Sequence, residues 1–278
     1  MQKLQILIDR LTKTCGLHIS IVDLSGILNT PMTQIGFHNV IHATRFCDIA
    51  KSTDRGYRTC LRCKMLANTK AISERRPFLG QCVYGLCEAA FPVVINGSVA
   101  AVVYVGNAVV DKDRTAARMK KTCGYTGVDA YKLSEELKHC ETVEDPTELL
   151  QVAELVADYL TWLYHNAPAK TEKLHWLVSL MKRHADEMYC TNISLKELAV
   201  TCQKNEKYLG RLFKKEMGIG FNEYCTQLRL HKAEKRLLQS DDKIIDIAFD
   251  CGFNTISYFN RVFKKKHGMP PKTYRAQR

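Results

Sequence analysis

The stretch Arg211-Leu212-Phe213-Lys214-Lys215, followed by Gly218 and Tyr224, returns fifty residues later as Arg261-Val262-Phe263-Lys264-Lys265, followed by Gly268 and Tyr274. Tyr208 and Tyr258 keep the same offset. An internal repeat constrains the architecture strongly, because each copy is expected to form the same supersecondary unit. We therefore expect two copies of one structural unit in the last part of the chain.

A short apolar pattern precedes each copy, with the spacing i, i+3, i+4, i+7 that places four side chains on one helix face. These residues are Leu195, Leu198, Ala199 and Cys202 in the first copy, and Ile244, Ile247, Ala248 and Cys251 in the second. Asp242 is expected to cap the second of these helices, and Gly252 to supply a permissive turn after it. Each copy is thus predicted to be a helix-turn-helix, within an all-helical domain of about seven helices.

The second helix of each copy carries a basic and polar stripe opposite its apolar face. The stripe consists of Lys207, Arg211, Lys214 and Lys215 in the first copy, and of Ser257, Asn260, Arg261 and Lys264 in the second. Side chains of these types read base edges or hold phosphates when a helix enters the major groove. The alternative is that each stripe is only the solvated face of an amphipathic helix. Two matching stripes in a basic domain favour double-stranded DNA as the partner.

The net charge is distributed unevenly along the 278 residues, whose formal total is +12. Residues 171–278 hold 21 Lys and Arg against 12 Asp and Glu, whereas residues 1–170 hold 20 against 17. The basic excess therefore belongs mainly to the repeat-containing part. Residues 166–171, which include Pro168, are predicted to link a domain at 1–165 to a domain at 172–278.

The chain lacks the sequence features of membrane and secreted proteins. Lys3, Asp9 and Arg10 interrupt the first apolar run, unlike the core of a signal peptide. Pro92 and the residues 96–98 interrupt the most apolar stretch, so it cannot supply the roughly 20 apolar residues of a spanning helix. We expect a cytoplasmic protein, in which the 12 cysteines are thiols, metal ligands or redox groups rather than a disulfide framework.

The repeat region resembles the AraC-type DNA-binding domain over about residues 172–278. The resemblance rests on Ile244-Ile245-Asp246-Ile247-Ala248, Cys251-Gly252-Phe253, Ser257-Tyr258-Phe259-Asn260-Arg261-Val262-Phe263-Lys264-Lys265, Gly268-Met269-Pro270-Pro271 and Tyr274-Arg275. It implies a transcription regulator with two helix-turn-helix subdomains, usually an activator that works beside RNA polymerase. It also implies base-reading positions at Lys207, Tyr208, Gly210 and Arg211 in the first recognition helix, and at Thr255, Ile256, Ser257, Asn260 and Arg261 in the second. Gly210 has no side chain to offer a base.

Residues 1–165 mix helical and strand periods, so the whole chain is predicted to be α+β. Helices are expected near residues 4–11 and over 54–74, 112–122 and 148–165. The segments 89–95 and 99–105 flank Asn96-Gly97-Ser98, which is a strong hairpin signal. The pattern predicts an antiparallel sheet with flanking helices, which resembles the PAS-like folds that enclose small ligands.

Five cysteines lie close together in this domain, at Cys47, Cys60, Cys63, Cys82 and Cys87. Cys60 and Cys63 have the two-residue gap that metal sites and redox pairs use. The basic residues Arg58, Arg62 and Lys64 surround them and predict lowered thiol pKa values and enhanced reactivity. Three interpretations stay open: packing or pocket lining, metal or cluster ligation, and a redox switch.

Residues 5–165 also resemble the PocR-type sensory domain. The resemblance rests on Phe46-Cys47, Gly56 with Cys60, Gln81-Cys82 before Gly85-Leu86, Phe91-Pro92-Val93 with Gly97, and Val105-Gly106-Asn107. It implies a modified PAS-like module that senses a small-molecule effector, and members are associated with short diols and related hydrocarbon derivatives, including propanediol. Where many members have histidine and glutamine, this sequence has Val83 and Asn107.

The helix predicted at 148–165 carries an alternating four-three apolar pattern at Leu149, Val152, Val156, Tyr159 and Leu163. Such a pattern over two heptads is typical of a helix that pairs with its copy in a homodimer. Packing of the same residues on their own domain is the alternative.

These patterns together predict a non-enzymatic, DNA-binding transcription regulator, an activator controlled by a small effector such as a short diol. One alternative is a regulator that senses metal or redox state through the cluster Cys47–Cys87. Another is a DNA-alkylation repair protein, since some of these join a cysteine-rich domain to the same helical module. The sequence lacks the Pro-Cys-His-Arg signature of that class, a Walker-type glycine loop, and a convincing Ser-His-Asp or paired-carboxylate arrangement.

Overall fold

The computed structural model describes residues 2–40, 44–166, 174–190 and 195–276. The described residues divide into two compact units. The first comprises Met1–Trp176 with Lys196–Asn205, and the second comprises Leu177–Leu195 with Glu206–Arg278. Most of the predicted linker, residues 167–171, lies outside the described residues, and the predicted domain limits stay a prediction. Within the described ranges, no helix is long and apolar enough to cross a membrane.

The first unit is built around a four-stranded antiparallel sheet with flanking helices, as predicted. The strands are β1 (His18–Asp23), β2 (Phe78–Gln81), β3 (Cys87–Ile95) and β4 (Ser98–Ala108), in the order β1-β4-β3-β2. The helices are α1 (Lys3–Cys15), α2 (Arg45–Ala50), α3 (Asp54–Glu74), α4 (Lys112–Thr126), α5 (Ala130–Leu137) and α6 (Thr147–His165), with a short 3-10 turn at Phe37–Asn39. The sequence patterns did not predict β2, α2 or α5, which are short.

The hairpin between β3 and β4 follows from its two loop residues. Asn96 and Gly97 both have positive φ, 50° and 76°. Two successive residues of this kind form the tight turn whose twist matches that of an antiparallel pair. The turn fixes the register that places Phe91 opposite Val103 and Ala90 opposite Tyr104.

Helices α3 and α6 both pack against β3 and β4. Ala71 of α3 shares a buried cluster with Ala90, Val102 and Tyr104 of the two strands. On α6, the heptad residues Leu149, Val156 and Leu163 are fully buried in their own unit. The interpretation of this pattern as a dimer face is therefore wrong for these three residues, and the alternative of packing on their own domain is confirmed.

The remaining described residues form seven helices and no strand, as the repeat predicted. These are α7 (Trp176–Met188), α8 (Leu195–Thr201), α9 (Glu206–Met217), α10 (Phe221–Gln239), α11 (Ile244–Asp250), α12 (Ile256–His267) and α13 (Pro271–Arg275). Pro271 is the first residue of α13, a position where its missing N–H costs nothing.

The turns that follow α8 and α11 share one geometry. The Lys204 N–H donates to the Ala199 carbonyl, and the Phe253 N–H donates to the Ala248 carbonyl. The matching left-handed residues are Gln203, with φ 52°, and Gly252, with φ 91°. A Cβ on Gly252 would lie 2.7 Å from the Cys190 carbonyl oxygen, so glycine is required there, as predicted. The predicted cap at Asp242 is wrong, because its carboxylate pairs with Arg236 at 2.6 Å instead.

Candidate functional site

Helix α9 presents the basic stripe of the first copy to solvent. Leu209 and Phe213 are buried and hold the helix to its unit. The predicted DNA-contacting residues all lie on the exposed side: Lys207, Tyr208, Arg211, Lys214 and Lys215. This arrangement keeps four positive charges on one accessible helix face, where phosphates and base edges can reach them.

Helix α12 presents the second stripe in the same way. Thr255 precedes the helix, and its hydroxyl accepts a hydrogen bond of 3.3 Å from the Tyr258 N–H. The predicted contact residues Thr255, Ser257, Asn260, Arg261 and Lys264 are exposed. Ile256 differs, since it is half-buried and packs against the core of its unit, so it has less surface to offer a base than its neighbours.

The core behind α12 is aromatic and repeats that behind α9. Tyr274 packs edge-on to Phe263 with ring centroids 5.2 Å apart, and Tyr224 packs at a steep angle on Phe213 at 5.6 Å. These pairs explain why tyrosine and phenylalanine recur at the same offset. They are structural, as the helical spacing predicted, because Phe213 and Phe263 are fully buried.

The C-terminal end of α12 is fixed by one carboxylate of α10. Glu234 Oε1 lies 2.6 Å from Lys266 Nζ and 2.8 Å from His267 Nε2. Burial acts to raise the pKa of Glu234, but the hydrogen bonds from Lys266 and His267 outweigh it and hold that pKa below its usual range. Lys266 and His267 are thereby engaged within the protein, whereas Arg261 and Lys264 project from the exposed stripe.

The first unit contains a cavity of about 120 Å³ beside α2, α3, β2, β3 and β4. A cavity needs roughly 10–15 Å³ on this measure to hold one water, so this one accommodates a ligand of several non-hydrogen atoms. Four of the five predicted thiol-site residues line it, namely Cys47, Cys60, Cys63 and Cys82. Cys87 does not belong to the lining; it is buried at the start of β3, and its prediction as a site residue is not supported.

Asn107 reaches the cavity from a β-bulge. Cys87 pairs with Ala108 and Glu88 pairs with Gly106, so Asn107 has no partner on β3, and its φ is 63°. Its amide nitrogen donates to the Thr44 hydroxyl at 2.8 Å and lies 3.7 Å from Cys47 Sγ. Bulges of this kind redirect a side chain and are common beside functional sites. An asparagine tolerates the left-handed conformation better than most residues.

The cavity wall also contains an ion pair that the sequence patterns did not identify. Lys64 Nζ lies 3.6 Å from Glu88 Oε1 and 3.1 Å from the centre of the Tyr104 ring. The ammonium nitrogen is buried, and among the described residues it has no hydrogen-bond partner. Burial lowers the pKa of Lys64, although Glu88 opposes this effect. One signal in the sequence was available, because Glu88 is an acidic residue inside an otherwise apolar strand.

The cysteines of the cavity are not activated thiols. Burial raises the pKa of Cys60 to about 12 and also raises the pKa values of Cys63 and Cys82. The prediction of lowered pKa values from the neighbouring basic residues is therefore wrong, since Arg58 and Arg62 point their charges into solvent while the thiols are partly buried. Across the described ranges, no three His, Cys, Asp or Glu side chains are grouped as metal ligands. The arrangement favours pocket lining over metal ligation or redox switching.

Two family models match the chain. The model of the sensory domain found in PocR matches residues 1–166, and that of a helix-turn-helix domain matches residues 181–277. The regulatory protein PocR of Salmonella typhimurium is 24% identical over 252 residues, which are 84% of this chain and 82% of that protein. The first model alone spans more than half of the chain.

Other relatives match only the C-terminal third. The bifunctional transcriptional activator/DNA repair enzyme AdaA of Bacillus subtilis is 37% identical over 98 residues, which are 35% of this chain. The chain spans 46% of the length of AdaA, so that match says nothing about the rest of it. Among solved structures, the DNA-binding domain of AdpA in complex with a target DNA covers 36% of this chain and 90% of that one, at 22% identity and a TM-score of 0.34. A TM-score this low carries no argument about function.

The assignment therefore rests on the two family models and the full-length match. They agree with the four-stranded sheet of the first unit and the repeated helices of the second. The chain belongs to the family of proteins that carry the sensory domain found in PocR, and it is a transcription regulator with an AraC-type helix-turn-helix domain.

Proposed function

We propose that the protein is an effector-controlled activator that binds promoter DNA through both recognition helices. The observation that carries the DNA half is the repetition of an exposed basic stripe on α9 and α12, each backed by the same aromatic core. Solvated faces of amphipathic helices carry charges too, but they have no reason to repeat at a fixed offset within one unit. Activation is supported by the names of relatives such as the HTH-type transcriptional activator RhaR of Yersinia pseudotuberculosis, 39% identical over 84 residues.

The roles of the DNA-contacting residues divide by side-chain chemistry. Arg211, Asn260 and Arg261 carry groups that form bidentate hydrogen bonds with guanine or adenine in the major groove. Thr255, Ser257 and Tyr208 supply hydroxyl groups. The remaining lysines carry point charges suited to phosphates: Lys207, Lys214, Lys215 and Lys264.

Fluorescence anisotropy with promoter DNA at rising salt tests this assignment. We expect affinity to fall steeply with salt, and Arg211→Ala and Arg261→Ala each to weaken specific binding by about 1–3 kcal/mol, or roughly 5- to 150-fold. Lys120→Ala is a matched control, because it removes one exposed charge from α4 of the first unit. Affinity that stays flat with salt, or that is unchanged in both arginine variants, contradicts the proposal.

The effector half rests on the cavity lined by Asn107, the cysteines and the Lys64–Glu88 pair. Its size suits a small molecule such as a short diol, and the full-length relative is named a regulatory protein. Such a ligand changes DNA binding only if its affinity differs between two states of the protein. We propose that the effector favours the state that binds promoter DNA in the cytoplasm and works beside RNA polymerase.

A homodimer is also proposed, through a face of α6 other than the one predicted from the heptads. Leu155 and Trp162 are 53% and 52% exposed, and Tyr159 stacks on Trp162 with ring centroids 6.0 Å apart. These residues are spaced four and three apart, so they form one continuous apolar stripe. Sedimentation equilibrium of the wild type and of Leu155→Glu/Trp162→Glu tests it, with a monomeric wild type as the contradicting result.

A further inference from the structure

The Lys64–Glu88 pair has the properties of a recognition group rather than of a structural ion pair. The Lys64 side chain is only 19% exposed and its ammonium nitrogen is fully buried. The 3.6 Å separation from Glu88 is longer than a hydrogen bond, and the closest neighbour of the nitrogen is the face of Tyr104. A buried ammonium without a hydrogen-bond acceptor is costly, and such groups in native proteins call for an explanation.

The position of the pair supplies that explanation, because both residues line the cavity. Lys64 is in α3, and Glu88 is in β3 directly opposite Gly106, next to the bulge that turns Asn107 into the same cavity. A Cβ on Gly106 would lie 2.7 Å from the Glu88 Cα, so the strands approach closely at this point. Tyr104 is held in turn by the hydrogen bond of 2.6 Å that its hydroxyl donates to Asn68. The pair is therefore set in a rigid wall.

We propose that Lys64 and Glu88 together bind a hydroxyl group of the effector, which accepts a hydrogen bond from the ammonium and donates one to the carboxylate. A hydroxyl group satisfies both partners at once, since it is donor and acceptor. A carboxylate would meet the like charge of Glu88, and an amine would meet the like charge of Lys64. The pair therefore selects uncharged, hydroxyl-bearing ligands against acids and amines of the same size. This inference rests on the proposed function, because it assumes that the cavity is the effector site.

Isothermal titration of the full chain with four probes of matched size tests the selection: 1,2-propanediol, 1-propanol, propionate and propylamine. Wild-type protein is expected to bind the two hydroxyl compounds and to discriminate against the two ions by roughly tenfold or more. Removing one partner of a buried pair leaves the other charge unpaired and destabilises the fold, so the decisive variant is Lys64→Met/Glu88→Leu, which removes both. It is expected to lose at least roughly tenfold in affinity for 1,2-propanediol.

Lys70→Met is the matched control for this variant. Lys70 is on the same helix and its ammonium also lies over an aromatic ring, 4.3 Å from the centre of Phe78, but the side chain is exposed and does not line the cavity. Its affinity for 1,2-propanediol is expected to match that of the wild type. Unchanged affinity in the double variant, equal binding of propionate or propylamine, or no binding of either hydroxyl probe to the wild type overturns the inference.

The same proteins separate this inference from the proposed function. If 1,2-propanediol binds in a manner that requires Lys64 and Glu88 but leaves promoter affinity unchanged, the recognition pair stands and effector control by this ligand falls. If a compound of another class changes promoter affinity equally in the wild type and the double variant, effector control stands and the recognition pair falls.

Discussion

Replacement of Gly252 by alanine is expected to destabilise the second helix-turn-helix by about 2–5 kcal/mol. Two costs add. A non-glycine residue at φ 91° costs about 1–2 kcal/mol for the left-handed conformation. The new Cβ would also lie 2.7 Å from the carbonyl oxygen and 2.8 Å from the carbonyl carbon of Cys190, and overpacking against backbone costs about 1–3 kcal/mol.

Gly268→Ala separates these two costs. Gly268 caps α12 at φ 74°, and a Cβ there meets nothing within 4 Å, so this variant has the conformational cost alone. We expect it to destabilise the unit by about 1–2 kcal/mol. The difference between the two variants then measures the contact with Cys190.

The assay has to report on the second unit alone, because a chain with two units does not unfold in one transition. Both tryptophans, Trp162 and Trp176, precede that unit, so their fluorescence is silent for it. Hydrogen exchange of peptides from α10 and α12, read by mass spectrometry, gives the local opening free energy directly. If Gly252→Ala opens no more readily than Gly268→Ala, the close approach to Cys190 is not a feature of the folded protein in solution.

Three further outcomes are expected. Gln203→Gly should stabilise the turn after α8 by up to about 1 kcal/mol, because Gln203 has φ 52° at the position where the second copy has Gly252; thermal unfolding checks this, and a lower melting temperature contradicts it. Burial lowers the pKa of His184 to about 3, so the unfolded chain takes up a proton near pH 6.5 while the folded chain stays neutral. The free energy of unfolding should therefore fall by about 2 kcal/mol between pH 7 and pH 5, and His184→Leu should remove that dependence in urea titrations followed by circular dichroism; an equal slope in the variant contradicts it. Asn107→Ala should weaken binding of 1,2-propanediol by roughly tenfold if its amide contacts the ligand, with calorimetry as the measurement and Asn166→Ala, at the exposed end of α6, as the control.

The parts of the fold that the sequence predicted are those set by local rules. The Asn96-Gly97 turn, the helix at 54–74 and the repeated helix-turn-helix each follow from a periodicity or a turn type that a few neighbouring residues determine. Short elements such as β2 and α5 carry too few residues for a period to be visible. Asp242 shows a competing interaction, since a cap within reach was displaced by an ion pair with Arg236.

The candidate site was harder to predict, because long-range contacts create its chemistry. Arginines beside Cys60 and Cys63 in the sequence indicated activated thiols, yet the folded chain buries the thiols and directs those arginines outward, so desolvation decides their pKa values. Lys64 and Glu88 are distant in sequence, and only the packing of α3 on the sheet brings them together. The exposed stripes on α9 and α12 were predictable, because helical periodicity alone sorts buried from exposed residues.

The bulge at Asn107 also bears on how such a protein changes its ligand over evolutionary time. A residue left out of the strand ladder has no cross-strand partner to match, so a substitution there alters the chemistry of the cavity without shifting the register of β3 against β4. The sheet and the specificity of the pocket are thereby separable, and variation at this one position is a short mutational route from one small molecule to another. For the engineering of biosensors, position 107 is accordingly the first to randomise.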